Sequence, residues 1–256
     1  MIETSDLVLL GFAALLAGFI DAVAGGGGLI QVPALFTALP LQTPATLFGT
    51  NKLASIFGTG SAALRYARRV EIHWRIAIPA AIAAAAFSFA GAAAVAWLPR
   101  ETVRPLVFGL LLFVIAYTVA RPNLGQVAGP SISLRQERWR ALALGAVLGF
   151  YDGFFGPGTG SFLIFLLVRF FALDFLRASA VAKIVNLATN AAALAYFIPH
   201  GQVLWLVGLV MALANVIGAQ VGSHLAIRHG SGFVRWIFLA SAILLLVKFG
   251  WDTFSL

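Results

Sequence analysis

Predominantly apolar stretches of roughly 17–25 residues recur along this chain, the length an α-helix needs to cross a bilayer's hydrocarbon core. They include residues 7–24, 44–66, 73–98 and 203–227. In lipid each backbone polar group must be bonded inside the protein, so such runs predict helices packed as a bundle. A transmembrane β-barrel would instead show short segments of alternating polarity. With 61% hydrophobic and 10% charged residues, the chain cannot cover a water-facing surface; soluble domains carry about 25% charge. The net charge is +8, and the arginines gather in short connecting segments: Arg65, Arg68, Arg69 and Arg75, then Arg135, Arg138 and Arg140. That is the pattern of cytoplasmic loops facing anionic lipid. It makes the bilayer, and not nucleic acid, the expected partner. There is no cysteine to form a disulfide or ligate a metal, and the four histidines show no metal-binding spacing, so no cofactor is expected. The acidic start, Glu3 and Asp6, lacks the basic region of a secretory signal, and the first apolar run is expected to be retained.

The chain reads as a duplication. Moving it by 131 residues lays one half on the other without a gap: Gly18-Phe19-Ile20-Asp21 falls on Gly149-Phe150-Tyr151-Asp152. Gly25 and Gly27 fall on Gly156 and Gly158, Lys52 on Lys183, Trp74 on Trp205, Gly91 on Gly222, and Val103-Arg104 on Val234-Arg235. Apolar sequences match by chance at alanine and leucine, but far less at aspartate, lysine, tryptophan and paired glycine.

Each half divides into five segments: about 7–24, 28–39, 44–66, 73–98 and 102–120, then 138–155, 159–172, 175–197, 203–227 and 233–250. The expected class is an all-α polytopic transmembrane bundle of two homologous repeats, with eight spanning helices and two short, broken or re-entrant segments. Its parts are a first transmembrane half over 1–120, a cytoplasmic linker over 121–137 and a second half over 138–256. If the short segments cross, the halves are inverted, and the arginine-rich stretches near 65–75, 121–140, 169–177 and 228–235 share the cytoplasmic side. If they do not, the halves run parallel. The arginine distribution favours inverted repeats.

The chemistry concentrates where helices break. Glycines inside a membrane helix free backbone groups that persist only where protein or water lines them. Two breaks at matching positions mark a binding site in transporters. These are Gly25-Gly26-Gly27-Gly28 and Gly156-Pro157-Gly158-Thr159-Gly160-Ser161. A helix starting after each break offers N–H groups and a positive dipole end, which suits a small anion. Close helix packing is the plainer reading of the glycines. Asp21 and Asp152 precede the breaks. They could carry a coupled proton, or act structurally by capping freed N–H groups. Only three lysines occur, and two are the repeat partners Lys52 and Lys183. They could attract an anion, with Asn51, Asn186, Asn190 and Thr159 donating hydrogen bonds; alternatively each lysine pairs with a nearby aspartate. Ser61 and Ser161 each follow Gly-Thr-Gly but lack a paired base, so no enzyme is expected.

Together, Gly18-Phe19-Ile20-Asp21 with Gly25-Gly26-Gly27-Gly28, Gly49-Thr50-Asn51-Lys52-Leu53-Ala54-Ser55, and Ala178-Ser179-Ala180-Val181-Ala182-Lys183-Ile184-Val185-Asn186-Leu187 with Thr189-Asn190 resemble the TauE/SafE sulfite exporter family, also called the TSUP transporters. The resemblance covers about residues 7–250. It implies a secondary carrier in the bacterial inner membrane for a sulfur-containing anion such as sulfite, thiosulfate or an organosulfonate. An anion channel and a non-transporting scaffold or sensor subunit are the alternatives. A small anionic substrate, a co-transported proton and a homo-oligomer are the further partners considered.

Overall fold

The computed structural model describes residues 4–96 and 133–254. The described residues form eight helices: α1 (Thr4–Ala24), α2 (Gly28–Ala38), α3 (Pro44–Arg69), α4 (Trp74–Ala96), α5 (Leu134–Phe154), α6 (Thr159–Phe171), α7 (Phe175–Phe197) and α8 (Trp205–Phe254). The expected segment 102–120 and most of the expected linker lie outside the described residues.

Helix boundaries follow local chemistry. Thr43 caps α3, accepting from the Thr46 N–H, with Pro44 at the first turn. Asp174 caps α7, its carboxylate accepting from the N–H groups of Leu176 and Arg177. A capping box of Ser133 and Gln136 starts α5 at Leu134. The helix therefore takes in residues that the sequence reading left in a linker ending at 137, because that capping pair went unread. Segments 203–227 and 233–250 are two helical stretches, as expected, which follow each other within α8 without an intervening loop and are separated where Gly230 takes the non-helical φ 74° and ψ −165°.

Among the described residues, four helical stretches are long and apolar enough to span a membrane: Thr4–Ala24, Trp74–Val95, Phe175–Phe197 and Trp205–Ile237. Helices α2 and α6 are the short ones. The less apolar α3 runs beside α8. Its Thr50 hydroxyl accepts from the Leu204 N–H at one end, and Arg65 reaches Gln220 and His224 at the other. Thus α3 and α8 are parallel.

Other contacts give the remaining directions. Leu10 and Ala14 of α1 cluster with Val207 and Met211 of α8, and Ala22 clusters with Ala219 and Ala226, so this pair is parallel too. Helix α5 is parallel to α4, with Gly145, Gly149 and Gly153 backed onto Ala80, Ala84 and Ser88. On α4 and α7, Ser88 donates to the Thr189 carbonyl and Phe89 stacks edge-on against Tyr196, again in parallel order. Helix α3 opposes α7: Gly49 meets Phe197 while Gly60 meets Leu187. Helices α1, α3 and α8 therefore point one way, and α4, α5 and α7 the other.

Corresponding helices of the two halves run in opposite directions, as an inverted repeat requires. The close approaches keep the 131-residue register. Gly18 backs onto Asn215 as Gly149 backs onto Ala84, and Gly222 meets Phe19 as Gly91 meets Phe150. Small residues let these backbones approach, which is how helices associate where lipid removes most of the hydrophobic drive. Each half's first helix packs on the other half's fourth, so the halves interlock.

Helix α2 returns toward the start of α1, where Leu35 and Leu39 cluster with Leu10, Leu47 and Val207. Leu173 lies at the other end of the bundle, with Ile72 and Ala226. Residues 40 and 173 are thus on opposite faces. The described arginines sit toward the ends of helices on the Leu173 face, and Trp74 and Trp205 stand half exposed at the starts of their helices.

Candidate functional site

Helix α1 ends where Gly25 adopts φ 77°, a left-handed conformation that favours glycine. Ending a helix inside the bundle leaves its last carbonyls without intrahelical partners. Here each finds one. Tyr66 donates to the Ala22 carbonyl at 2.9 Å, Ser179 to Val23 at 3.3 Å and Ser161 to Ala24 at 2.7 Å. The Ser161 N–H donates to the Gly25 carbonyl at 3.1 Å, and the Asp21 carbonyl accepts from both the Gly25 N–H and the Lys183 ammonium. Most of these donors come from α6 and α7 of the other half. The second break closes on itself: Thr159 donates to the Gly156 carbonyl at 2.8 Å and Tyr151 to the Pro157 carbonyl at 2.7 Å.

The two breaks meet. A Cβ on Gly160 would stand 2.6 Å from the Gly25 Cα and 2.9 Å from the Asn186 amide nitrogen, and one on Gly28 would stand 3.1 Å from the Pro157 Cα. Only glycine permits that approach at Gly25 and Gly160.

The charged residues are crossed between the halves. Lys52 of the first half pairs with Asp152 of the second at 2.7 Å, and Lys183 of the second pairs with Asp21 of the first at 2.9 Å. Thr59 also donates to Asp21, at 3.3 Å. The carboxylates thus accept from side chains, and the backbone-capping reading of the aspartates gives way to the ion-pair reading. Two cations and two anions cancel, so net charge does not draw an anion here. Burying such a pair is favourable only with close geometry, and removing one partner typically costs about 3–5 kcal/mol.

Between the breaks lies a polar-walled cavity of about 30 Å³. Its wall includes Asp21, Gly25, Gly28, Asn51, Lys52, Asp152, Gly156, Thr159, Asn186 and Asn190, all expected from sequence. It also includes Ser55 and Thr59, which were not expected, and Gly160, which belongs to the second break read from the sequence. The 131-residue offset carries a signal for the first two: Ser55 corresponds to Asn186 and Thr59 to Asn190. Four expected residues are off the wall. Gly26 packs near Ile20 and Ser161, Gly27 meets Ala17 and Asp21, and Gly158 caps α6 at φ 82°. Lys183 is fully buried behind Asp21.

The first-turn N–H groups are partly committed, those of Leu29, Ile30 and Ser161 donating to Gly26, Gly27 and Gly25. Gly28 and Gly160, both on the wall, stand outside these bonds. The Asn51 and Asn186 side-chain oxygens are buried without a hydrogen-bond partner. Buried polar atoms are normally bonded; these oxygens accept, so water or a donor group of a ligand can satisfy them, whereas an anion would have to meet the amide N–H groups. A cavity of this size has room for water.

The family model for the sulfite exporter TauE/SafE matches residues 10–249. A probable membrane transporter protein, ORF9, of Sinorhizobium sp. is 39% identical, with 94% of this chain and 91% of the relative covered. The probable membrane transporter protein YfcA of Escherichia coli K12 is 34% identical, covering 95% and 90%. One of Haemophilus influenzae is also 34% identical, covering 96% and 95%. No solved structure matches the chain. With its membrane helices and near full-length correspondence, the chain belongs to the TauE/SafE sulfite exporter family of membrane transporters.

Proposed function

We propose that this protein is a secondary carrier that moves a small sulfur-containing anion across the bacterial inner membrane by alternating access. The observation that carries this reading is the meeting of the two helix breaks around a cavity walled by Lys52, Asn51, Asn186, Asn190 and Thr159. Sites between inverted halves, near the midplane, are what rocking of one half against the other exposes first to one side and then to the other. Lysine supplies a cation, and the amides and hydroxyls supply directional donors. The N–H groups of Gly28 and Gly160 add the positive ends of α2 and α6. The arginine-rich face is the cytoplasmic one.

Flux in liposomes containing only the purified chain tests the reading. Thiosulfate or sulfoacetate uptake should saturate with concentration and show exchange across the membrane. Non-saturating flux would replace the carrier by a channel. No flux of either compound, or of sulfite, would overturn the transport reading.

A further inference from the structure

The sequence makes Lys52–Asp152 and Lys183–Asp21 look interchangeable, and the geometry separates them. Lys183 is fully buried, away from the cavity wall, and bound to both the carboxylate and the carbonyl of Asp21. Asp21 has a second donor in Thr59. That pair ties α7 to the broken end of α1. Lys52 instead stands on the cavity wall, and a Cβ on Gly156 would lie 3.1 Å from its ammonium. Among the described residues its charge partner is Asp152 at 2.7 Å, and that Asp152 oxygen makes no aligned hydrogen bond.

Resting on the carrier reading, we infer that Asp152 takes up one proton for each anion bound, releasing Lys52 to hold the anion. A buried neutral site that accepts an anion alone acquires uncompensated charge, which is costly in a low-dielectric interior. One proton entering with the anion cancels one of its charges, which is all of the added charge for a monoanion and half of it for a dianion. The proton comes from water and forms an O–H bond on the Asp152 carboxylate; Lys52 keeps its own proton and exchanges a carboxylate partner for the anion. The charge of the site is unchanged before and after for each charge so matched. Among the described residues, the charged groups on the cavity wall are Asp152 on α5, Lys52 on α3 and Asp21 on α1, with Lys183 of α7 behind Asp21. Helices α4 and α6 bring no charged side chain to it, and the Tyr151 hydroxyl beside Asp152 is committed to Pro157. Asp21 is the more open carboxylate, with 19% of its side chain exposed against 7% for Asp152. Protonating it would free no cation on the wall, because Lys183 stays buried and held by the Asp21 carbonyl. Coupling of this sense is symport: with the outside more acidic it runs inward, and efflux needs an outward anion gradient.

The test uses the full chain in liposomes with a pH dye inside. The anions are thiosulfate and sulfoacetate, neither of which takes up a proton near neutral pH. With the membrane potential clamped at zero, one unit of pH difference should concentrate an anion that moves with one proton about tenfold, since one unit is 1.36 kcal/mol. Protons should move with the anion. In Asp152→Asn, which fixes the neutral form, anion exchange should persist while gradient-driven accumulation falls to none and the dye signal is lost. Asp152→Glu should restore both. Asp21→Asn should keep coupling in whatever fraction folds. Anion flux without proton movement in the natural protein overturns this inference and leaves the carrier reading standing. Undiminished accumulation in Asp152→Asn, or coupling lost in folded Asp21→Asn as well, also overturns it. If Asp152→Asn does not fold, the charge-neutral pair Lys52→Gln with Asp152→Asn replaces it; coupled accumulation by that variant overturns the inference, and its loss with folding retained supports it.

Discussion

Lys183 holds α7 against the end of α1 through two bonds to one residue, the carboxylate and the carbonyl of Asp21. Lys52 holds one carboxylate and borders the cavity. Removing either leaves an unpaired aspartate, but only loss of Lys183 also strips a donor from a broken helix end. Lys183→Ala should therefore destabilise the protein by about 3–5 kcal/mol. Lys52→Ala should cost less, because no helix-end carbonyl loses a donor with it. Thermal unfolding in detergent checks the order. Equal losses, or a greater loss for Lys52→Ala, would remove the distinction between a structural and a working lysine. Tyr66, Ser161 and Ser179 belong with Lys183: their hydroxyls satisfy three successive carbonyls of α1, and all are buried.

At the scale of elements, periodicity and punctuation in the sequence located most helices. Gly25 to Gly28 and Gly156 to Gly158 stop one helix and start the next, as four consecutive glycines and a glycine-proline-glycine would. Helices α2, α6 and α7 begin where expected because glycine, threonine and aspartate signals stand at their starts. The break at Gly230 was legible as the polar gap between the apolar runs 203–227 and 233–250, although no loop separates the two stretches. The start of α5 was missed because a polar, arginine-rich first turn resembles a linker. The site was half legible. The wall residues Asp21, Lys52, Asp152, Asn186 and Asn190 stood out as polar groups inside apolar helices. Which lysine met which aspartate did not, because the partners lie 162 and 100 positions apart and nothing local encodes the crossing. Ser55 and Thr59 were passed over since single hydroxyls in a helix commonly bond their own backbone; only their correspondence to Asn186 and Asn190 distinguishes them.

The described residues form two interlocked sets of helices pointing in opposite senses, with the described arginines gathered at one face. The absence of native cysteine makes this testable by labelling. Leu41→Cys and Arg169→Cys, both at exposed positions, should react with impermeant maleimide from opposite sides of the membrane, Arg169→Cys from the cytoplasm. Reaction from the same side would refute the inverted arrangement. The central claim is that an anion binds between the breaks with Lys52 as its cation. Ligand binding raises apparent stability by mass action, about 2.7 kcal/mol at a hundred times the dissociation constant. The most direct measurement is the apparent melting temperature of the purified protein against rising thiosulfate, sulfoacetate or sulfite, beside Lys52→Ala in the same series. The account predicts a saturable rise for at least one of these anions, absent in the folded Lys52→Ala protein and absent with acetate. An equal rise in both proteins, or no rise with any of the three anions, would contradict it.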